Sequence, residues 1–176
     1  QIMADILTFE ERKGSIKDRK VAWIGDGNNV ANSWVQAAAR FGFSLSLACP
    51  EPYHPCAEDI GWAKRQGADV TVTADPLEAV KDADLVTTDT WISMGAEDVA
   101  ARKAALATFQ VNAGLMQKAT KDAVFLHCLP AVRGEEVTAD VIDGPQSAIF
   151  DEAENRLHVQ KSILLWCLTA STDHGK

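Results

Sequence analysis

This 176-residue chain lacks several features that would assign it a class at once. It has no clusters of Lys and Arg, and its net charge of −8 gives it no general attraction for a phosphate backbone, so no nucleic acid is expected as a partner. No apolar run approaches the length of a membrane span, which argues against a membrane partner. No secretory leader is read, and Gln1 is not a translation start. The four cysteines, Cys49, Cys56, Cys128 and Cys167, show neither Cys-x-x-Cys spacing nor the density of a secreted scaffold, which points to reduced thiols in a cytoplasmic setting. His54-Pro55-Cys56 and His127-Cys128 lack structural-zinc spacing, so no metal is expected. Internal repeats, low-complexity tracts and linker-like runs are absent as well.

What is present is an alternation of strand and helix signals, in a composition ordinary for a soluble globular domain. Strands are expected at 21–24, 45–48, 69–73, 85–88 and 124–126. Helices are expected at 32–40, stopped by Gly42, and at 57–66, stopped by Gly67. Asp75-Pro76-Leu77-Glu78 reads as an N-cap, a proline at the first helical position and a capping-box glutamate. Residues 148–150 read as a short extended piece before a last helix at about 152–168. The alternation implies a parallel sheet covered on both faces.

Two segments suggest chemistry. Gly25-Asp26-Gly27-Asn28-Asn29-Val30 follows the first strand and matches the start of a dinucleotide fingerprint, with Glu51 near the place of a ribose-binding acid. Val30 replaces the third glycine, which would spoil the close helix–strand approach. Both an NAD site and a plain strand-to-helix turn remain open on spacing alone. The second segment is His127-Cys128-Leu129-Pro130, closing the apolar run Ala123-Val124-Phe125-Leu126. It reads as the end of a buried parallel strand, where open α/β sheets bind ligands, and Pro130 makes a cis Leu129–Pro130 bond possible.

This tetrapeptide resembles the His-Cys-Leu-Pro motif of ornithine carbamoyltransferases, and other segments agree in the same order. They are Gln1-Ile2-Met3-Ala4-Asp5-Ile6-Leu7-Thr8, Gly25 to Val30, Asp89-Thr90-Trp91-Ile92-Ser93-Met94-Gly95, Phe109-Gln110-Val111-Asn112, and Glu152-Ala153-Glu154-Asn155-Arg156-Leu157-His158. The resemblance runs from Gln1 to about Leu168. No Ser-x-Arg-Thr phosphate loop occurs, so the chain looks like the amino-acid-binding half of such an enzyme, with the carbamoyl-phosphate domain missing from it.

The resemblance implies a fold, a reaction and a site. The fold would be a three-layer α/β sandwich with a mainly parallel, Rossmann-like sheet: 1–12 a bridging helix, 13–150 the ornithine-binding domain, 151–176 a C-terminal bridging helix and tail. The reaction would move the carbamoyl group of carbamoyl phosphate to the δ-amine of L-ornithine, with no cofactor. Putrescine and acetylornithine enzymes remain neighbours, as does a non-catalytic amino-acid-binding module. The whole enzyme would be a homo-oligomer.

Ornithine would be held by Asn29, Asp89, Ser93, Met94, Cys128 and Leu129. Asp89 would accept from the α-ammonium. Cys128 would lie near the δ-amine, as a thiolate or otherwise, without forming a covalent bond to substrate. Carbamoyl phosphate would meet Gln1, Arg156 and the carbonyls of Cys128 and Leu129, with Arg156 facing the carbamoyl oxygen as negative charge builds there. Cys128 and Arg156 would be the catalytic pair. Outside this resemblance, Arg156 reads as a surface ion pair among Asp151, Glu152 and Glu154. Ala131-Val132 stand before Arg133 where the family often has a basic residue, which would weaken positive charge on the approach to the site. The last helix carries apolar residues on two faces, Leu157, Leu164 and Leu168 on one and Val159, Ile163 and Trp166 on the other. Burial within one domain and bridging to another would each suit it.

Overall fold

A computed structural model describes residues 1–92 and 98–170. Its elements alternate as the pattern requires: α1 (Ile2–Lys13), β1 (Lys20–Ile24), α2 (Asn29–Phe41), β2 (Ser44–Ala48), α3 (Ala57–Arg65), β3 (Val70–Thr73), α4 (Pro76–Val80), β4 (Leu85–Thr88), α5 (Val99–Leu106), α6 (Ala113–Met116), β5 (Val124–His127), α7 (Ala139–Ile142) and α8 (Ile149–Ala170). The strands form one sheet in the order β3-β2-β1-β4-β5, every pairing parallel. The fold is therefore α/β, a parallel sheet between two helical layers. The order reverses between β1 and β4, so the crevice for a ligand opens beyond the carboxyl ends of those two strands.

Side chains alternate across the sheet with period two. Val21, Trp23, Leu45, Leu47, Val124 and Leu126 face one core with Phe9 of α1 and Trp34 and Val35 of α2. Ala22, Ile24, Val86 and Phe125 face the other, with Val80 of α4, Met116 of α6 and Val141 and Ile142 of α7. Burial on both faces explains the apolar runs of β1 and β5, whereas β2 and the edge strand β3 are only partly buried and alternate Ser or Thr with apolar residues.

Helix ends differ from the sequence expectation where a cap intervenes. Asn28 accepts from the backbone N–H groups of Val30 and Ala31, so α2 begins at Asn29 rather than at Asn32. Asp75 caps α4 through Leu77 N–H, but Glu78 accepts from the Thr73 hydroxyl, so the expected capping box is only half made. Residues 148–150 are not an extended piece. Ala148 N–H makes the last link to β5, donating to the Phe125 carbonyl, and α8 starts one residue later.

α1 and α8 pack on each other, joined across their polar sides by Asn155, which donates to the Thr8 hydroxyl and the Glu11 carboxylate. Only the first part of α8 is buried, at Ile149, Glu152 and Asn155. Leu157, Ile163, Leu164, Leu165, Trp166 and Leu168 are all exposed. Among the described residues no helix is long and apolar enough to cross a membrane.

Candidate active site

Parallel strands deliver their carboxyl ends to one edge, and the tertiary fold places the expected residues there. Asp89 follows β4 directly. Its Oδ1 accepts from the Cys128 thiol at 3.3 Å and from Thr90 N–H at 2.8 Å, and its Oδ2 accepts from Asn28 Nδ2 at 2.8 Å. Asn29, exposed, begins α2 beside Asn28 at the same edge. Ser93 and Met94 lie outside the described residues.

Asn28 is a residue the sequence reading missed. One carboxamide does two jobs: its oxygen caps α2 while its nitrogen fixes Asp89. The signal that could have found it is the Asn-Asn pair after Gly-x-Gly, in which the first asparagine stands at the cap.

The loop after β5 is held as tightly. The Leu129–Pro130 bond is cis, as expected, and Leu129 has a positive φ of 53°. A leucine rarely adopts that conformation unless its surroundings enforce it. Here Leu129 N–H donates to His127 Nδ1 at 3.0 Å, closing the turn. That bond places the acceptor lone pair at Nδ1 and the ring hydrogen at Nε2. Nε2 faces the fully buried Glu136 at 3.3 Å without aligned hydrogen-bond geometry, so Nε2 and Glu136 Oε2 remain buried polar atoms lacking a hydrogen bond. Glu136 Oε1 accepts from Val132 N–H at 2.5 Å, and Gln110 donates to the carbonyls of Gly134 and Glu135. The Phe109-Gln110-Val111-Asn112 segment thus buttresses the loop from below, with Asn112 capping α6.

Burial, then the charge of Asp89, push the Cys128 thiol far above its usual range. Both influences disfavour the thiolate that sequence reasoning allowed, and the sulfur keeps its proton while donating a hydrogen bond to Asp89. Asp89, His127 and Cys128 do bring an oxygen, a nitrogen and a sulfur within 4.8 Å of one another, a grouping invisible to sequence spacing. Within this grouping the Leu129 amide occupies His127 Nδ1 and the sulfur donates to Asp89.

Gln1 and Arg156 are linked to the β5 end through Glu152 of α8, which accepts from His127 N–H. Arg156 Nη1 donates to Gln1 Oε1 at 2.7 Å, and Gln1 Nε2 donates to Asp5 (2.6 Å) and Glu152 (3.0 Å). The ion pair with neighbouring acids expected from sequence alone is not among the described salt bridges; Arg156 turns to Gln1 instead, and Asp151 pairs with Arg12 of α1. Arg133 is spent on a two-pronged bridge to Asp143, so it does not stand in for the basic residue missing after Pro130.

Arg102 was also missed. It pairs with Asp26, stacks on Tyr53 at 4.3 Å and donates to the Trp91 carbonyl, tying α5 to the turns after β1 and β4. Burial raises the pKa of Asp26 from its ordinary value, and Arg102 opposes that shift. The Gly-x-Gly turn is filled by protein: a side chain at Gly27 would lie 2.3 Å from Pro55 N, and Gly27 N–H donates to the Tyr53 carbonyl. This supports the plain-turn reading over a dinucleotide site.

With this geometry in hand, comparison with known proteins is informative. Residues 17–167 match the family described as "Aspartate/ornithine carbamoyltransferase, Asp/Orn binding domain". The ornithine carbamoyltransferase of Rhodopseudomonas palustris is 58% identical over 170 residues, covering 97% of this chain and 55% of that protein. That of Brucella abortus is 57% identical over 168 residues, covering 96% and 54%. Among solved structures, ornithine carbamoyltransferase from Pyrococcus furiosus superposes with a TM-score of 0.86 at 48% identity, covering 92% of this chain and 53% of that one. The chain spans about half the length of the curated relatives it matches.

Proposed function

We propose, from the premise that this chain belongs to the aspartate/ornithine carbamoyltransferase family, that it is the amino-acid-binding half of an ornithine carbamoyltransferase. In that reading the whole enzyme transfers the carbamoyl group of carbamoyl phosphate to the δ-amine of L-ornithine, giving citrulline and phosphate. The observation that carries the reading is the meeting of Asp89 and Cys128 at 3.3 Å beside the cis Leu129–Pro130 turn, with Gln1 and Arg156 linked at 2.7 Å on α1 and α8.

Each residue then has a task. The Asp89 carboxylate takes the α-ammonium of ornithine, and Asn29 takes its carboxylate with a group that can donate. Ser93 and Met94 belong to the same amino-acid site. Cys128 acts as a neutral thiol, and the carbonyls of Cys128 and Leu129 accept from the δ-amine and the carbamoyl NH₂. Gln1 receives the carbamoyl amide, and Arg156 stabilises the carbamoyl oxygen as the tetrahedral intermediate forms. The phosphate is gripped by a carbamoyl-phosphate domain, and the exposed apolar length of α8 is the surface that meets it. The assembled enzyme would be a homo-oligomer.

The test is a substrate panel on an active enzyme containing this chain. Citrulline formation with ornithine, and at least tenfold lower kcat/KM with putrescine and N-acetylornithine, supports the reading. A preference for either of those amines, or amino-acid binding with no carbamoyl transfer, overturns it.

A further inference from the structure

Behind the cleft lies a pair of acids that the reaction chemistry above leaves without a role. Asp5 on α1 and Glu152 on α8 are 2% and 1% exposed, and the same Gln1 nitrogen lies within hydrogen-bond distance of both carboxyls, so the two acids are close neighbours. Two carboxylates that close in a buried place disfavour a double charge and favour one proton held between them. Three of their four oxygens have further partners. Gln1 Nε2 gives one hydrogen to Asp5 Oδ1 and the other to Glu152 Oε1, at 2.6 and 3.0 Å. The second Glu152 oxygen accepts from His127 N–H at 2.9 Å. Gln1 Oε1 is left to receive Arg156.

We infer that the Asp5–Glu152 pair is a proton-sharing positioning unit, which aims Arg156 through Gln1 and sets the His127-Cys128-Leu129 loop through the His127 amide. A single proton decides the arrangement. With it, Glu152 donates to Asp5 and still accepts from both amides. Without it, two adjacent charges repel, α1 and α8 are driven apart, and the carboxamide of Gln1 loses one of its two partners. The groups facing the pair are Arg156 on α8 and His127 and Cys128 at the end of β5, with Asp89 beyond the sulfur. Burial is the largest influence holding the proton on Glu152, and Asp5 is the next. The consequence for catalysis rests on the carbamoyl-transfer reading, whereas the shared proton and the aim of Arg156 do not.

The test therefore has two arms. On the 176-residue chain, infrared spectroscopy at pH 7 should show the carbonyl band of a protonated carboxyl, absent in Glu152→Gln. In Asp5→Asn the band should titrate away at lower pH than in the unaltered chain. NMR should show the His127 amide and Arg156 side-chain signals displaced in Glu152→Ala and restored towards their original positions in Glu152→Gln. In an active enzyme containing this chain, Glu152→Ala should lower kcat on the order of 100-fold, as expected for a misaimed reacting group. Ornithine KM should change much less, and Glu152→Gln should rescue most of the loss. No protonated band at pH 7, or unmoved His127 and Arg156 signals in a folded Glu152→Ala, overturns the inference. Should Glu152→Ala not fold, the band and its loss in Glu152→Gln decide it. Failure of carbamoyl transfer in every version would sink the functional reading while leaving the first arm to judge the pair.

Discussion

Cys128 Sγ lies 3.3 Å from Asp89 Oδ1, and the sulfur is the donor. The contact joins the ends of β4 and β5, neighbours in the sheet, and it makes each residue's chemistry depend on the other. Burial and then the Asp89 charge favour the protonated thiol, and the thiol, with Asn28 and Thr90 N–H, keeps the carboxylate oriented.

Replacing Asp89 by Asn in an active enzyme should raise the ornithine KM and reduce kcat/KM by about 2–4 kcal/mol, the cost of losing a half-buried charged partner that the bound substrate would cover. The KM for carbamoyl phosphate should change much less. Equal losses towards both substrates in steady-state kinetics would make Asp89 structural.

The same substitution should make Cys128 more reactive. Burial, the largest influence on the thiol, is unchanged by Asp89→Asn, but the negative charge and the carboxylate acceptor are removed. Alkylation followed by peptide mass mapping from pH 7 to 10 should label the exposed Cys56 and Cys167 first in both proteins. Cys128 should be labelled earlier in the variant; no acceleration would show that burial alone sets its reactivity.

Asn28→Ala removes a helix cap and a restraint on Asp89 together. A stability loss of about 1 kcal/mol is expected from the cap, read from the midpoint of urea denaturation. Asn28→Asp should keep the cap yet place a second carboxylate against Asp89, so it should restore stability but not ornithine affinity. If both variants bind ornithine like the parent, Asn28 has no part in the site.

Stability should fall as pH rises. Burial and Asp5 push the Glu152 carboxyl from 4.5 up to about 9, and burial pushes Asp5 from 3.8 to about 6. A folded-state value above the unfolded one means that the native state holds the proton more tightly. This stabilising contribution is complete below about pH 4 and is lost progressively as pH climbs towards 9. Each tenfold difference in proton affinity is worth about 1.4 kcal/mol, so the melting temperature between pH 5 and 9 should slope downward visibly. Glu152→Gln should flatten that slope; an unchanged slope would assign it to other groups.

The chain by itself should form no measurable citrulline, because its sequence holds no Ser-x-Arg-Thr loop to grip phosphate and an unheld co-substrate forfeits much of the ~7–11 kcal/mol that orientation supplies. The exposed Leu157, Leu164, Leu165, Trp166 and Leu168 should drive self-association, seen as concentration-dependent mass in sedimentation. Robust turnover by a verified monomer would refute this view of the chain.

Much of this protein was legible in one dimension. Strands buried on both faces are rich in apolar and β-branched residues, so β1, β4 and β5 announce themselves as Val21–Ile24, Leu85–Thr88 and Val124–Leu126. Residues at strand ends can be named because a parallel sheet sends all of them to one edge, which is how Asp89 and Cys128 were paired in advance. What sequence could not supply was direction and partnership. Whether Arg156 turned to the acids beside it or to Gln1, 155 positions away, depended on how α8 lies against α1. The second duty of Asn28, the clamp of Arg102 on Asp26, and the meeting of Asp5 with Glu152 were decided the same way. A side chain's local propensity is set by its neighbours in sequence, whereas its hydrogen-bond partners and its proton are set by distance and burial, and those exist only once the chain has folded.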